Sequence, residues 1–151
     1  MEIPRPTRAH RQLERLVGDW RGQETMHPSQ WDPAGGVAEG VSPARLAVSG
    51  FAVVVDYEQI RDGEVTFTGH GVYSIDEKTQ EVVMHWFDCM SPGPEVFRGK
   101  FVGDELILVS KGPMGEFRST NVYTGEEMHN KMEMSQDGKQ WTTLFEGVYR
   151  R

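Results

Sequence analysis

The stretch "TRAHRQLERLVGDWRGQE" (residues 7–24) changes its hydrophobic period at Gly18. Before that glycine, Leu13 and Leu16 fall on one side of a helix and the charged residues fall on the other. The pattern predicts one short amphipathic helix over residues 7–17, ended by the glycine. After it the apolar residues follow a period of two, which is the signature of strands.

Strand patterning continues to the end of the chain. "VTFTGHGVYSI" (residues 65–75) and "EMHNKMEMS" (residues 127–135) alternate, and "EVVMHWFDCM" (residues 81–90) is apolar and aromatic. Segments with turn chemistry interrupt the pattern nine times, at residues 33–36, 49–50, 61–63, 76–79, 91–94, 103–104, 112–115, 125–126 and 137–138. We therefore predict about ten strands, joined mostly by short hairpins.

So many consecutive antiparallel strands leave two unprotected edges unless the sheet closes on itself. The sequence therefore predicts a mainly β protein, an antiparallel up-and-down β-barrel in which residues 1–151 form a single domain. The N-terminal helix then covers one end. The longest irregular segment, "PSQWDPAGG" (residues 28–36), is expected to be a mobile flap near the barrel mouth.

The composition argues against several classes of partner. Lys and Arg number 16 against 23 Asp and Glu, the formal net charge is -7, and no basic cluster breaks this balance. Nucleic acids and anionic membranes are bound through concentrated positive charge, so neither is expected as a partner. We also expect a cytoplasmic protein without membrane insertion, because the N-terminus has no apolar run and the single cysteine, Cys89, suits a reducing compartment.

Three segments carry a resemblance to a known family: "LERLVGDWRGQETMHP" (residues 13–28), "GVYSIDEKTQEVVMHWFD" (residues 71–88) and "WTTLFEGVYRR" (residues 141–151). Together they resemble the bacterial family called domain of unknown function 1579, whose members are similar to calycins, the superfamily of lipocalins and fatty-acid-binding proteins. The resemblance implies that Trp20 packs across one end of the barrel against an arginine of the last strand, Arg150 or Arg151, and we predict Arg150 for this closure role. A cation over an indole face adds about 0.5 to 2 kcal/mol.

The opening also resembles that of the nitrobindin-like haem proteins, which begin Gly-x-Trp-x-Gly-x-Gly. Here Glu24 stands where that pattern has its last glycine, and "QWTTLFEGVYRR" (residues 140–151) lacks the C-terminal histidine that holds the iron in those proteins. Both departures disfavour haem, and we predict no cofactor.

Alternation identifies candidate residues for the barrel interior. Asn130 is expected to share an inward face with neighbouring methionines, and Asn121 to share one with aromatic residues, so that apolar walls carry a few polar groups. Methionines suit an irregular apolar ligand, but they also fill cores. The predicted ligand-binding residues are Tyr57, Tyr73, Trp86, Phe117, Asn121, Met128, Asn130 and Met132.

Two glycines and one carboxylate stand out on the predicted inner faces. Gly69 and Gly71 mark either a cavity or a bend in the sheet. Glu24, on the face of Trp20, would be too costly as an unpaired charge, so a partner such as Arg98 or Arg118 is expected.

A metal site is not predicted. His85 and Cys89 share a face but lie about 13 Å apart along a strand, at roughly 3.3 Å per residue, too far for one zinc ion. The pair His70 and His85 could meet across a hairpin, but no compact motif supports a third ligand.

The sequence favours non-catalytic binding of a small apolar or amphipathic molecule inside the barrel. The alternative is an isomerase or hydrolase acting on a hydrophobic substrate, with His85 or Asp88 as the base beside Tyr73. A third hypothesis is homodimerisation through the outer surface, because the strand that contains Trp86 and Phe87 carries apolar residues on both faces.

Overall fold

The computed structural model describes residues 1–91 and 93–151. Pro92, which belongs to the predicted turn at residues 91–94, lies outside the described residues. Among the described residues, no helix is both long and apolar enough to cross a membrane.

The described residues form one short helix followed by ten antiparallel strands that close into a barrel. The helix α1 (Arg8–Gln12) continues into a 3₁₀ turn (Leu13–Leu16), so the last turn of the predicted helix is tighter than an α-helix. The strands are β1 (Gly18–Met26), β2 (Gly36–Ala47), β3 (Ala52–Arg61), β4 (Glu64–Ile75), β5 (Val82–Asp88), β6 (Glu95–Val102), β7 (Glu105–Gly112), β8 (Gly115–Thr124), β9 (Glu127–Ser135) and β10 (Thr142–Arg150).

Every strand pairs with its neighbours in sequence, and the barrel closes where β1 pairs with β10. In this seam Arg21 lies opposite Arg150 and Met26 lies opposite Phe145. The prediction of an up-and-down barrel of about ten strands is therefore confirmed. Its physical basis is that closure leaves no sheet edge with unpaired backbone groups.

The helix closes one end of the barrel. Leu13 and Leu16 are 0% and 3% exposed and pack with Trp20 in the main hydrophobic cluster. The indole Nε1 of Trp20 donates to the Leu16 carbonyl oxygen at 2.8 Å, which ties the first strand to the 3₁₀ turn that precedes it. We call the half of the lumen beneath the helix the helix half, and the opposite half, where β1 ends and β2 begins, the flap half.

The arginine that covers Trp20 is Arg151. Its guanidinium carbon lies 4.8 Å from the centre of the Trp20 ring, and its nitrogens donate to the carbonyl oxygens of Arg15, Val17 and Gly125. Arg150, the other candidate, pairs with Glu127 at 3.5 Å on the outer surface. The assignment of the closure role to Arg150 is therefore corrected, because alternation turns Arg150 outward while the chain end carries Arg151 over the indole.

Arg151→Ala is expected to lower the free energy of unfolding by about 1–2 kcal/mol, because it removes a cation–π contact and three hydrogen bonds to carbonyl oxygens. Arg150→Ala is the matched control and should cost less than about 0.5 kcal/mol, as is usual for an exposed ion pair. Urea unfolding of both variants gives the comparison. Equal losses would mean that the contact over Trp20 contributes little to closure.

Candidate functional site

The two halves of the lumen differ in how completely side chains fill them. In the helix half the inner faces are tightly packed: Val53, Leu106 and Leu108 are each 0% exposed and belong to the main hydrophobic cluster, and Tyr73 and Met128 are half-buried against it. In the flap half, inner-face residues such as Phe67 and Trp86 keep part of their surface accessible. An inward side chain of a closed barrel meets solvent through the lumen or its mouth, so accessible space lies around Phe67 and Trp86 in the flap half.

The strand register turns all eight predicted ligand-binding residues toward the lumen. Tyr73 pairs with Met84, and Tyr123 pairs with Met128, both in the helix half. Burial raises the pKa of Tyr73 to about 12, which keeps this phenol protonated. The other six predicted residues are Tyr57, Trp86, Phe117, Asn121, Asn130 and Met132. Their role in binding stays a prediction.

An amide cluster lies on the β8–β9 wall. The Asn130 side-chain nitrogen donates to Asn121 Oδ1 at 2.7 Å, and the Asn121 nitrogen lies 3.4 Å from the Ser119 hydroxyl oxygen. Asn121 and Ser119 are 6% exposed, whereas Asn130 is only half-buried. The amides therefore satisfy one another and leave Asn130 as the member that a molecule in the lumen can reach.

A buried carboxylate, that of Glu24, projects from β1 into the lumen. Glu24 is 0% exposed. It accepts hydrogen bonds from the Tyr57 hydroxyl, 2.7 Å from either carboxylate oxygen, from the Gln59 side-chain nitrogen at 3.1 Å, and from the Tyr149 hydroxyl. Burial and the negative charge of Glu24 raise the pKa values of Tyr57 and Tyr149, so both phenols remain donors.

The expected arginine partners of Glu24 lie elsewhere, and that prediction was wrong. Arg98 pairs with Asp76 at 3.0 Å, and Arg118 pairs with Glu133 at 3.1 Å, both on the outer surface. The charge is instead satisfied by neutral donors, which a sequence pattern cannot identify because they come from β3 and β10.

Two glycines make room for this carboxylate. A Cβ at Gly40 would lie 2.5 Å from Glu24 Oε2 and 2.8 Å from Tyr149 Cε1, and one at Gly147 would overlap the Tyr149 hydroxyl. Gly147 pairs directly with Glu24, and Gly40 pairs with Gln59. Neither glycine was predicted from the sequence, although two glycines on inner faces near an unpaired carboxylate were a usable signal.

Gly69 and Gly71 have a related role. The Trp86 indole lies flat against them: a Cβ at Gly69 would overlap this ring, and one at Gly71 would sit 3.3 Å from it. The space that suggested a cavity or a bend is therefore occupied by Trp86. Tyr57 approaches the same indole, with ring centroids 6.2 Å apart, and also approaches Phe67 at 6.0 Å. The wall formed by these three rings is called the aromatic wall below.

Two further carboxylates, those of Asp88 and Glu95, lie beside the aromatic wall. Asp88 Oδ2 accepts from the Trp86 indole nitrogen at 2.8 Å, and Glu95 pairs with Trp86 across β5 and β6, so it shares the inner face. Burial, followed by the nearby charge of Asp88, raises the pKa of Glu95. Within residues 1–91 and 93–151, no hydrogen bond or ion pair to the Glu95 side chain is present.

The proposed catalytic groups are not brought together. His85 lies on the outer face opposite Val72 and Val96. Asp88 faces the lumen, but Tyr73 is level with Met84, four residues earlier on β5 and thus about 13 Å along the strand.

The histidines lie outside the lumen. His10 packs its ring against Phe51 beside the helix, and His27, His70 and His129 each pair with an acidic residue near the surface. No group of three or more potential metal-binding side chains occurs among the described residues.

The segment at residues 27–35 covers the mouth of the flap half. Asp32 pairs with Arg61 at the end of β3 at 2.7 Å, and the Trp31 ring lies 6.0 Å from that of Phe117 at the start of β8. The flap therefore reaches strands on both sides of β1. Beside it is a cleft of about 450 Å³, lined by Pro28, Ser29, Gln30, Trp31, Met134, Ser135, Gln136, Asp137, Gln140, Thr142 and Leu144.

None of the eight predicted residues lines this cleft, but Met134, which is on the inner face of β9, does. The cleft thus connects solvent with the edge of the lumen. On the outer surface, Phe87 and Val96 are 43% and 42% exposed, so the apolar strip predicted for homodimerisation exists there, and its role stays a prediction.

The ion pair of the flap predicts a pH dependence. The hydrogen bond from Arg61 lowers the pKa of Asp32 from its ordinary value of about 3.9. Because the pKa of Asp32 is lowered, the ion pair stabilises the closed flap fully when the pH is above the ordinary pKa. This stabilisation is lost as the pH falls through the lowered pKa. Asp32→Asn should therefore reduce hydrogen-exchange protection at residues 28–36 at neutral pH, whereas the original protein loses it only in acid. Asp62→Asn, in the next turn, is the control, and equal protection in both variants would contradict the role of the pair.

These features define a closed ten-stranded antiparallel β-barrel with one packed half, one partly open half and a flap over its mouth. The chain matches the family described as "Protein of unknown function (DUF1579)" over residues 5–151, and it belongs to that family. The resemblance seen in the sequence is thereby confirmed.

A solved structure supports the fold independently. The chain is similar to the crystal structure of Rv2717c from M. tuberculosis, with a TM-score of 0.73 and 14% sequence identity. The match covers 96% of this chain and 98% of the other. At this identity the likeness concerns the fold. No curated protein matches the chain.

Proposed function

We propose that the barrel binds one small, mainly apolar molecule in the flap half of its lumen and does not act on it chemically. The observation that carries the proposal is that Phe67 and Trp86 face the lumen there and keep part of their surface accessible. Apolar walls with a few placed polar groups are typical of ligand pockets. The cleft of about 450 Å³ beside the flap would give a small molecule access to the edge of this space.

The polar groups available to such a molecule are few and well separated. Asn130 presents its amide from β9, and Tyr57 borders the aromatic wall from β3. A molecule between these walls would contact Met132 and Phe117 on one side and Trp86 on the other. Met132 and Phe117 pack against the hydrophobic cluster and are only partly buried, so part of their surface is available to a guest.

Met132→Trp tests the proposal because it adds bulk to the inner face of β9. We expect it to weaken binding of 1-octanol about tenfold or more, measured by isothermal titration calorimetry, since a filled lumen excludes the guest. Native mass spectrometry of the protein, purified without added ligand, should show the bound molecule and its loss in the variant.

His129→Trp is the matched control, because it places the same side chain on the outer face of the same strand, where His129 is exposed. It should bind 1-octanol as the original protein does. If neither protein binds 1-octanol, or if Met132→Trp binds it unchanged, the lumen is not the binding site.

A further inference from the structure

The charges inside the flap half are unbalanced. Three carboxylates face the lumen, Glu24, Asp88 and Glu95. Among the described residues the inward-facing cation is Arg61, and Asp32 of the flap neutralises it at 2.7 Å. The interior therefore carries a formal excess of negative charge, although an apolar lumen would favour none.

The carboxylates differ in how well they are compensated. Glu24 accepts three donors, and Asp88 accepts the indole nitrogen of Trp86 and the backbone N–H of Met90 at 2.9 Å. Glu95 faces the same space without a partner among the described residues. Its side chain is therefore available to pair with a charged group that enters the lumen.

The aromatic wall provides the second, independent feature. The Trp86 indole presses one side against Gly69 and Gly71, and its nitrogen donates to Asp88, which enriches the ring in electron density. The Tyr57 ring lies 6.2 Å from the indole, and the Phe67 ring lies 6.0 Å from that of Tyr57. Electron-rich ring faces attract cations, and aromatic rings grouped with carboxylates are a familiar setting for ammonium groups.

We propose that the molecule bound in the flap half is a cationic amphiphile, an organic ammonium whose charged head lies between Glu95, Asp88 and the aromatic wall. This inference rests on the proposed function and narrows its ligand class. A fatty acid would be a poor ligand for this lumen, because its carboxylate would be repelled by the three carboxylates that face it.

One feature of the lumen favours an anionic ligand, so the experiment includes an anionic probe. Arg61 Nε is buried and has no hydrogen-bond partner among the described residues. A carboxylate guest could use this N–H group, although Tyr57, on which the charge of Arg61 acts, already donates to Glu24. The experiment therefore compares three probes that share one alkyl chain: octylamine, 1-octanol and octanoate, titrated calorimetrically at neutral pH.

We expect octylamine to bind about tenfold or more tightly than 1-octanol, and octanoate to bind most weakly. Glu95→Gln should weaken octylamine about fivefold or more and leave 1-octanol within about twofold. Glu105→Gln removes an exposed charge at the start of β7 and should change the binding of neither octylamine nor 1-octanol. This variant controls for the general attraction of cations to an acidic protein. A thermal unfolding midpoint for Glu95→Gln no lower than that of the original protein verifies folding.

The outcomes separate the two proposals. If octanoate binds as well as octylamine, or if Glu95→Gln leaves octylamine binding unchanged, the cationic ligand class is wrong while binding of 1-octanol still supports the lumen site. If no probe shows binding that Met132→Trp removes, the lumen site fails and the ligand class fails with it.

Discussion

Glu24→Ala is expected to lower the free energy of unfolding by about 3–5 kcal/mol, a large fraction of the stability of a protein of this size. The carboxylate is 0% exposed and accepts from Tyr57, Gln59 and Tyr149. Its removal leaves three buried donors without an acceptor, each costing roughly 1–3 kcal/mol if unsatisfied, and also leaves a cavity between β1, β3 and β10.

Denaturant unfolding of Glu24→Ala and Glu39→Ala provides the matched comparison. Glu39, on the outer face of β2, pairs with Arg21 at 2.7 Å with both side chains exposed, so its loss should cost less than about 1 kcal/mol. Glu24→Gln should fall between them, at about 1–2 kcal/mol, because one amide oxygen remains to accept while the amide nitrogen faces other donors. If Glu24→Ala costs no more than Glu39→Ala, the network does not stabilise the barrel.

Gly22→Ala is expected to cost about 3 kcal/mol or more, because the barrel seam leaves no space for one methyl group. A Cβ at Gly22 would overlap the Val148 carbonyl oxygen and lie 2.7 Å from the Tyr149 Cα. These are backbone atoms of the pairing strand β10, so the whole seam would have to shift. The φ angle of Gly22 is not positive, which makes the expected loss purely steric.

Gly112→Ala is the control for this prediction. Gly112 ends β7, its φ is also not positive, and nothing lies within 4 Å of a Cβ built there. The exchange should be neutral or slightly stabilising, since alanine restricts the unfolded chain more than glycine does. Thermal unfolding measures both variants, and a Gly22→Ala protein as stable as Gly112→Ala would contradict the close contact of β1 and β10.

The architecture was predictable because its signals are local. The change of period at Gly18, the nine turn segments and the alternation of apolar residues identify the helix, the number of strands and the inner faces of strands such as β9. Closure followed from a general argument about sheet edges. The inward orientation of Asn130 needed only the period of two, which the pairing register preserves through β9. The strand β5 is apolar on both faces, so the orientation of Trp86 was decided by its pairing register.

The partners of the inner residues were not predictable in the same way. Glu24 meets Tyr149 across 125 positions of sequence, and Tyr57 reaches it over Gly40 of the intervening strand. Arg151 rather than Arg150 covers Trp20 because the chain end leaves the strand there. Glycines on the neighbouring strands leave room for the contacts of Glu24, because a Cβ atom at these positions would have excluded them. This effect is visible only where strands meet.

The sequence by itself determined that this chain is a closed β-barrel with a helix at one end, because hydrophobic period and turn chemistry depend on neighbouring residues. Only the tertiary structure decided that the helix half is filled, that Glu24 is held by phenols instead of arginines, and that Glu95 faces the aromatic wall. The physical reason is that contacts across a lumen depend on register, closure and side-chain volume summed over all ten strands.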